Sequence, residues 1–237
     1  MHLSHAMIDS AQARRALACA ERFADSSCSD PEGLFIEQRY AGYTAEDQET
    51  WRILYERQHE SLASRASRIW RDDAERIRVV PDAIPRLDEV SARLFPRTGW
   101  RSRAVPGYLP ARAFFACVAR REFPTTIVLR PREALGYLPE PDIFHDVFGH
   151  VPLHADPLFA EFLETYGRAA LRARHARELE RLTRLFWFTI EFGLIAEPEG
   201  LRLYGSGLLS SPNEARHALE SPEVTGNDLR EVEHGRD

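Results

Sequence analysis

The chain has 237 residues, 43% of them hydrophobic and 29% charged. That is the composition of an ordinary globular protein and, at roughly 150 residues per domain, the length of one domain or two small ones. Its formal charge is −6, so it has no basic excess to neutralise nucleic-acid phosphates or an anionic membrane, and no apolar run of about 18 residues to span a bilayer. All 31 basic residues are Arg; without Lys, Schiff-base and lysine general-base chemistry are excluded. Cys19, Cys28 and Cys117 form no CxxC pair or zinc pattern, and the N-terminal stretch has no signal-peptide core. Both points suit a reduced, cytoplasmic setting.

In chain order, residues 9–24 have the spacing of a short amphipathic helix, broken by a Ser-, Asp-, Pro- and Gly-rich stretch at 25–33. Thr44-Ala-Glu-Asp47 reads as a capping box. From it, Trp51, Leu54, Tyr55, Leu62, Ala66, Ile69 and Trp70 follow one helical stripe, which Pro81 and Pro85 end. Helices are expected over 85–95 and 114–122 and a β-branched strand over 125–129. Asp142 is placed to cap a helix carrying Ile143–His150. Helices over 157–170 and 178–196 and a strand over 201–204 follow. Ser211-Pro212-Asn213-Glu214 starts the last helix, with a Ser cap, Pro at the first helical position and Glu closing the box. The expected fold is mainly α with small β elements: an N-terminal arm, 1–42, and a single domain, 43–237.

The histidines carry the chemistry. Of the nine, His2, His5, His59, His175, His217 and His234 are scattered, and surface or structural roles are the default for them. His145, His150 and His154 stand together in PEPDIFHDVFGHVPLHADP. On a regular helix, residues five apart are rotated by about 500°, about 140° off a common face. His145 and His150 can still converge if the helix ends at Gly149 and the chain turns there. His150 and His154 have the spacing of adjacent turns, but Pro152 lies between them. Glu191, in the apolar run LFWFTIEFGLI, needs an exposed edge or a partner, because an isolated buried charge is very costly.

Two His and one carboxylate with open positions is the facial triad of non-haem Fe(II) oxygenases. A pair of hydrogen-bonded core histidines with Glu191 bridged to Arg184 or another Arg fits the spacing at least as well. A zinc hydrolase fits less well, since Asp146 rather than Glu follows the first His.

PEPDIFHDVFGHVPL, FWFTIEFGL and YGSGLLSS, in this order and spacing, resemble the pterin-dependent aromatic amino acid hydroxylases, most closely their short bacterial members. The resemblance runs from about Tyr43 to Val232 and includes YTAEDQETWRILYERQ, TGWRSRAVPGYLP and REFPTT. It implies the catalytic domain of that family, with Fe(II) held by His145, His150 and Glu191 and with a tetrahydropterin and O2 as co-substrates. It places the pterin near Val105, Gly107, Leu109 and Phe114, with Phe114 stacked on its ring and Asp146 close by.

The same resemblance assigns the substrate carboxylate to Arg130, whose planar fork suits bidentate recognition. It completes the pocket with Pro139, Pro141, Trp187, Phe192, Gly207, Ser210, Ser211 and Glu214. Trp187 lies one turn before Glu191 and shares its helix face. Glu214 is expected to orient Arg130, and Ser210 to orient His145; Asp146, Trp187 and Ser210 stand nearest the chemistry. The implied reaction is hydroxylation of L-phenylalanine to L-tyrosine. Hydroxylation of phenylalanine at the meta position, or of tryptophan, is the alternative within the class, and a non-catalytic metal-binding protein the alternative outside it. The family's catalytic domain continues past the position of Asp237 with a strand-rich stretch over the site, so a C-terminally short domain is expected. With no regulatory domain or tetramerisation helix in the sequence, a cytoplasmic monomer is expected, with small molecules and neither nucleic acid nor membrane as partners.

Overall fold

Thr44 opens the first long helix as its sequence dictates. Its hydroxyl accepts the Asp47 N–H at 3.3 Å, and the Asp47 carboxylate accepts the Thr44 N–H at 2.7 Å. This reciprocal cap satisfies two donors that a helix start otherwise orphans. The structure, a computed structural model, describes residues 24–25, 34–136 and 141–221. Its elements run β1 (Ala24–Asp25), β2 (Glu37–Gln38), α1 (Ala45–Leu62), α2 (Arg68–Ile77), α3 (Leu87–Thr98), β3 (Arg101–Val105), α4 (Ala111–Val118) and β4 (Glu122–Thr126). After a π-helical turn at His145–His150 come α5 (Pro157–Leu171), α6 (Ala176–Phe186), a second π-helical turn at Trp187–Glu191, β5 (Leu194–Glu197), β6 (Gly200–Leu203), α7 (Ser206–Leu209) and α8 (Pro212–Glu220). Helices dominate. The sheets are three strand pairs, antiparallel for β1–β2 and β5–β6, and parallel for β3–β4, which α4 connects.

One large core, with a small second cluster beside it, holds these elements together. Trp51, Trp100, Phe115, Phe123, Phe144 and Phe148 are fully buried in it, each side chain contributing about 1.5–3 kcal/mol of burial. Residues 34–42 lie on the same unit: the Ile36 N–H donates to Ala104 O at 2.9 Å, and the Tyr40 hydroxyl to Ile84 O at 2.8 Å.

Several boundaries differ from the sequence expectation. The stripe from Trp51 to Trp70 is two helices. Between them the chain bridges at Ala66 to Leu203, the Ser67 N–H donates to Leu203 O at 2.8 Å, and Ser67 caps α2. A long-range pairing thus overrides local periodicity, which both halves obey. α3 runs past Phe95 to Thr98 with Pro96 in its last turn. α4 starts earlier than Phe114 and stops at Val118, and the strand begins at Glu122, so the chain turns at Arg121, whose φ is 61°. The helix expected to reach Ala196 ends at Glu191; Leu194–Glu197 pairs instead with Gly200–Leu203. Ser211 caps α8 through the Glu214 N–H at 3.4 Å, but Glu214 does not return the bond. The helix expected over 9–24 lies outside the described residues except for Ala24, which is paired in β1. Pro139, Cys19 and Cys28 lie outside them too.

Candidate metal centre and active site

His145 and His150 converge by a route the sequence analysis did not anticipate. The helix does not end at Gly149; it widens into π winding from His145 to His150. In that winding, residue i+5 stands where i+4 would in an α-helix, so the two imidazoles fall on one side. Their Nε2 atoms are 3.2 Å apart. The turn is held at both ends. The Ile143 N–H donates to Val128 O at 2.8 Å, Asp142 accepts the His145 N–H at 2.9 Å, and the Trp70 indole N–H donates to Phe148 O at 3.1 Å.

Glu191 arrives on the second π turn, at the end of the helix that began as α6. Its Oε1 is 3.0 Å from His150 Nε2 and its Oε2 is 3.5 Å from His145 Nε2. The β5–β6 hairpin then returns the chain across the site. The Gly205 N–H donates to Gly193 O at 2.8 Å, and a Cβ on Gly205 would collide with Glu191 O. A Cβ on Gly149 would stand 2.8 Å from Ser206 O. Glycine at both positions lets 205–210 lie directly on the two π turns that carry the cluster. Ser210 thereby reaches His145, its Oγ 2.8 Å from Nδ1.

The three groups cluster, His150 buried and His145 and Glu191 half-buried, with ligand atoms within 4.8 Å of one another. Two donors at right angles on one ion with bonds of about 2.1 Å are about 3 Å apart, so these edges fit a single cation. The electrostatics fit as well. Burial raises the Glu191 carboxyl, but the adjacent imidazoles, His150 first, more than offset this and bring it down to about 2. Burial lowers His145 to about 4, while at His150 the Glu191 carboxylate outweighs burial and raises it above 6.5. A charged carboxylate facing two imidazoles, one of which (His145) resists protonation while the other (His150) is drawn to the carboxylate, is a ligand set for a divalent metal. Arg184 makes no ion pair with Glu191, which removes the core-histidine alternative with that partner. His154 does not join the cluster; it is fully buried and stacked on Trp100 at 4.6 Å.

Arg130 lies next to this centre, 6% exposed. Its Nε and Nη2 donate to Asp142 Oδ2 and Oδ1 at 2.8 and 2.9 Å. Glu214 was the expected partner; Asp142 takes that role. The same carboxylate also accepts the backbone N–H groups of Arg130 and His145. Burial pushes Asp142 up, but the Arg130 guanidinium outweighs it and holds the carboxyl below 3.8. Arg130 Nη1 makes no hydrogen bond among the described residues.

The model of the family described as biopterin-dependent aromatic amino acid hydroxylase matches residues 21–233. The chain belongs to that family. It is 43% identical over 209 residues to the phenylalanine-4-hydroxylase of Chromobacterium violaceum, covering 87% of this chain and 70% of the relative. It is 42% identical over 199 residues to that of Ralstonia nicotianae, covering 83% of this chain and 64% of the relative. Among solved structures it is similar to the C. violaceum phenylalanine hydroxylase with bound iron(III) and 7,8-dihydrobiopterin, with a TM-score of 0.82 at 42% identity over 88% of this chain and 77% of that one. It is equally similar to the iron- and phenylalanine-bound form, with a TM-score of 0.82 at 38% identity over 93% and 80% of the two chains.

The remaining positions named from the hydroxylase motifs divide into groups. Trp187 is 41% exposed and lies tilted on Phe192, centroids 4.8 Å apart. Gly207 sits against the Phe192 ring, where a Cβ would be 3.1 Å from Cζ. Pro141 is half-buried just before Asp142, and Ser211 serves as a cap. Asp146 is buried, accepts the Thr126 N–H at 2.6 Å, and is lifted by burial to about 7. Phe114 packs edge-on against Phe115, Phe123 and Phe186, and Phe123 lies 4.9 Å from the His150 ring. Val105 and Leu109 instead pack with Phe35 and Cys117 in a separate small cluster. Gly107 is in the bend after β3.

Sequence reading missed Asp142 as the partner of Arg130, and missed Thr126, Phe123 and Trp70. Asp142 carried one signal, its cap position before Ile143. The other three contacts are long-range and leave no local pattern.

Proposed function

We propose that this hydroxylase converts L-phenylalanine to L-tyrosine, with Fe(II) held by His145, His150 and Glu191 and a tetrahydropterin beside it. The observation that carries the reading is a shared carboxylate: Asp142 receives the Arg130 fork and the backbone of the ligand His145. The amino-acid grip and the metal centre are thereby held in one frame. The names of the relatives and the iron, dihydrobiopterin and phenylalanine bound in the C. violaceum structures support it.

Bound there, the metal and the pterin supply O2 activation and its two electrons. The chain's own residues do the rest. Arg130, fixed on Asp142, presents Nη1 to the substrate carboxylate. Trp187 and Phe192 form an aromatic wall for the benzyl side chain, with Gly207 and Pro141 leaving room beside them. Ser210 fixes the orientation of the His145 ring. Asp146, one oxygen held by the Thr126 N–H, offers the other to the pterin, on the side where Phe114, Gly107 and the backbone of Val105 and Leu109 receive it. In this reading Ser211 and Glu214 border the pocket through the start of α8, beside Pro141.

Among the described residues no helix is long and apolar enough to cross a membrane. The proposal extends to a monomer in the cytoplasm; light scattering tests the monomer. The catalytic test is anaerobic loading with Fe(II), then air, a tetrahydropterin and phenylalanine or tryptophan in separate reactions, with products separated against standards. Para-tyrosine is the expected product. Meta-tyrosine or 5-hydroxytryptophan would move the substrate or ring position, and iron-loaded protein without product would overturn the catalytic reading.

A further inference from the structure

Gln58 is a polar residue on an apolar stripe. It lies on α1 between Leu54 and Leu62, both buried, and is itself 1% exposed. A buried amide is costly unless it is hydrogen-bonded, and only one end of this amide is. Its Nε2 donates to Leu209 O at 2.6 Å, while Oε1 is buried without a partner among the described residues. A leucine would suit the core here without leaving an acceptor unsatisfied. What distinguishes the amide is the carbonyl it holds.

Leu209 is the last residue of α7. Its carbonyl receives no backbone N–H among the described residues, the usual state of a carbonyl at a helix end. It shares one planar peptide unit with the Ser210 N–H, and that N–H donates to Ser206 O at 3.0 Å. The peptide is therefore held at both poles, its oxygen by Gln58 from 151 positions away in sequence and its N–H by α7. Fixing this plane fixes where the Ser210 side chain starts. Ser210, 3% exposed, then carries its Oγ to 2.8 Å from His145 Nδ1.

We propose that Gln58 is a positioning residue for the metal centre: by holding the Leu209 carbonyl it fixes the peptide that carries Ser210, and through Ser210 the orientation of the His145 ring. The proposal rests on the reading of His145 as a metal ligand. Gln58 bonds to none of the ligand residues and acts through Ser210 alone.

The test is a double-mutant cycle on the full chain. It combines Ser210→Ala with Gln58→Met, which keeps an unbranched side chain of similar volume and removes the donor, and with Gln58→Leu as a second donor-free variant. Fe(II) affinity, measured by competition with a chelator, is expected to fall about tenfold or more in Gln58→Met. In the Ser210→Ala background the same substitution is expected to cost nothing further, whereas a packing defect would cost the same in both backgrounds. Melting curves are expected to move little, because the substitution also removes the unpartnered Oε1. The metal-free chain gives a second readout, NMR of the imidazole nitrogens. The His145 Nδ1 resonance is expected to move in Gln58→Met and Gln58→Leu toward its position in Ser210→Ala. A resonance that keeps its parent position, or equal losses of Fe(II) affinity in the two backgrounds, would overturn the role of Gln58. A parent chain that binds no Fe(II) would overturn the metal centre itself, an outcome that the resonance tells apart from a failure of Gln58.

Discussion

His145 and His150 point their Nε2 atoms at each other across 3.2 Å although they are five residues apart in sequence. The π winding between them makes this possible, and Trp70, Asp142 and Ser206 pack or bond against that winding from three sides. Glu191 comes from a second π turn. Both segments that carry the cluster therefore use backbone winding that is rare and found often at functional sites. Their tertiary contacts keep it in place.

Ser210→Ala removes the oxygen that bonds His145 Nδ1. The ring can then rotate, and the metal loses an oriented ligand. Fe(II) affinity, measured by competition with a chelator, is expected to fall about 10–100-fold, with the melting temperature of the metal-free protein little changed. Unchanged affinity would mean that Ser210 does not position His145.

Asp142→Asn keeps a residue that can cap the helix but leaves the buried Arg130 guanidinium without its charge partner. A broken buried pair costs about 3–5 kcal/mol, and the loss should be visible in denaturant unfolding. The KM for phenylalanine is expected to rise at least about tenfold, while bound iron per chain stays the same. A kcat loss at unchanged KM would contradict the role given to Arg130.

His154 presents a different case. Both of its ring nitrogens are buried without a partner, and burial, with His150 adding to it, lowers the imidazole well below 6.5. The neutral ring is the folded form, so the unfolded chain binds more protons and stability falls as pH drops below 6.5. His154→Leu, of similar volume, is expected to gain about 1 kcal/mol at neutral pH. The gain should widen as pH falls from 6.5 toward 5. Thermal melts across that range check it; an advantage that shrinks toward acid would contradict it.

What the sequence shows and hides follows from these residues. The caps at Thr44, Asp142 and Ser211 are local chemistry and are legible in it. The hydroxylase resemblance names His145, His150, Glu191, Arg130 and Ser210 as candidates. The break between α1 and α2 is not legible, because Ala66 leaves the helix for a pairing with Leu203, more than half the chain away. The π turns are not legible either. They change the hydrogen-bond step over five or six residues, too few to alter an apolar period. Asp142 hides behind its cap role, since nothing local shows that one carboxylate serves a helix start and a buried arginine together.

The most direct test of the account is an isotope experiment. The Fe(II)-loaded chain, given a tetrahydropterin and L-phenylalanine under 18O2, should yield para-tyrosine carrying one 18O in its ring hydroxyl, and Glu191→Ala should yield none. Tyrosine without the label, or full activity in Glu191→Ala, would contradict an iron-dependent monooxygenase built on His145, His150 and Glu191.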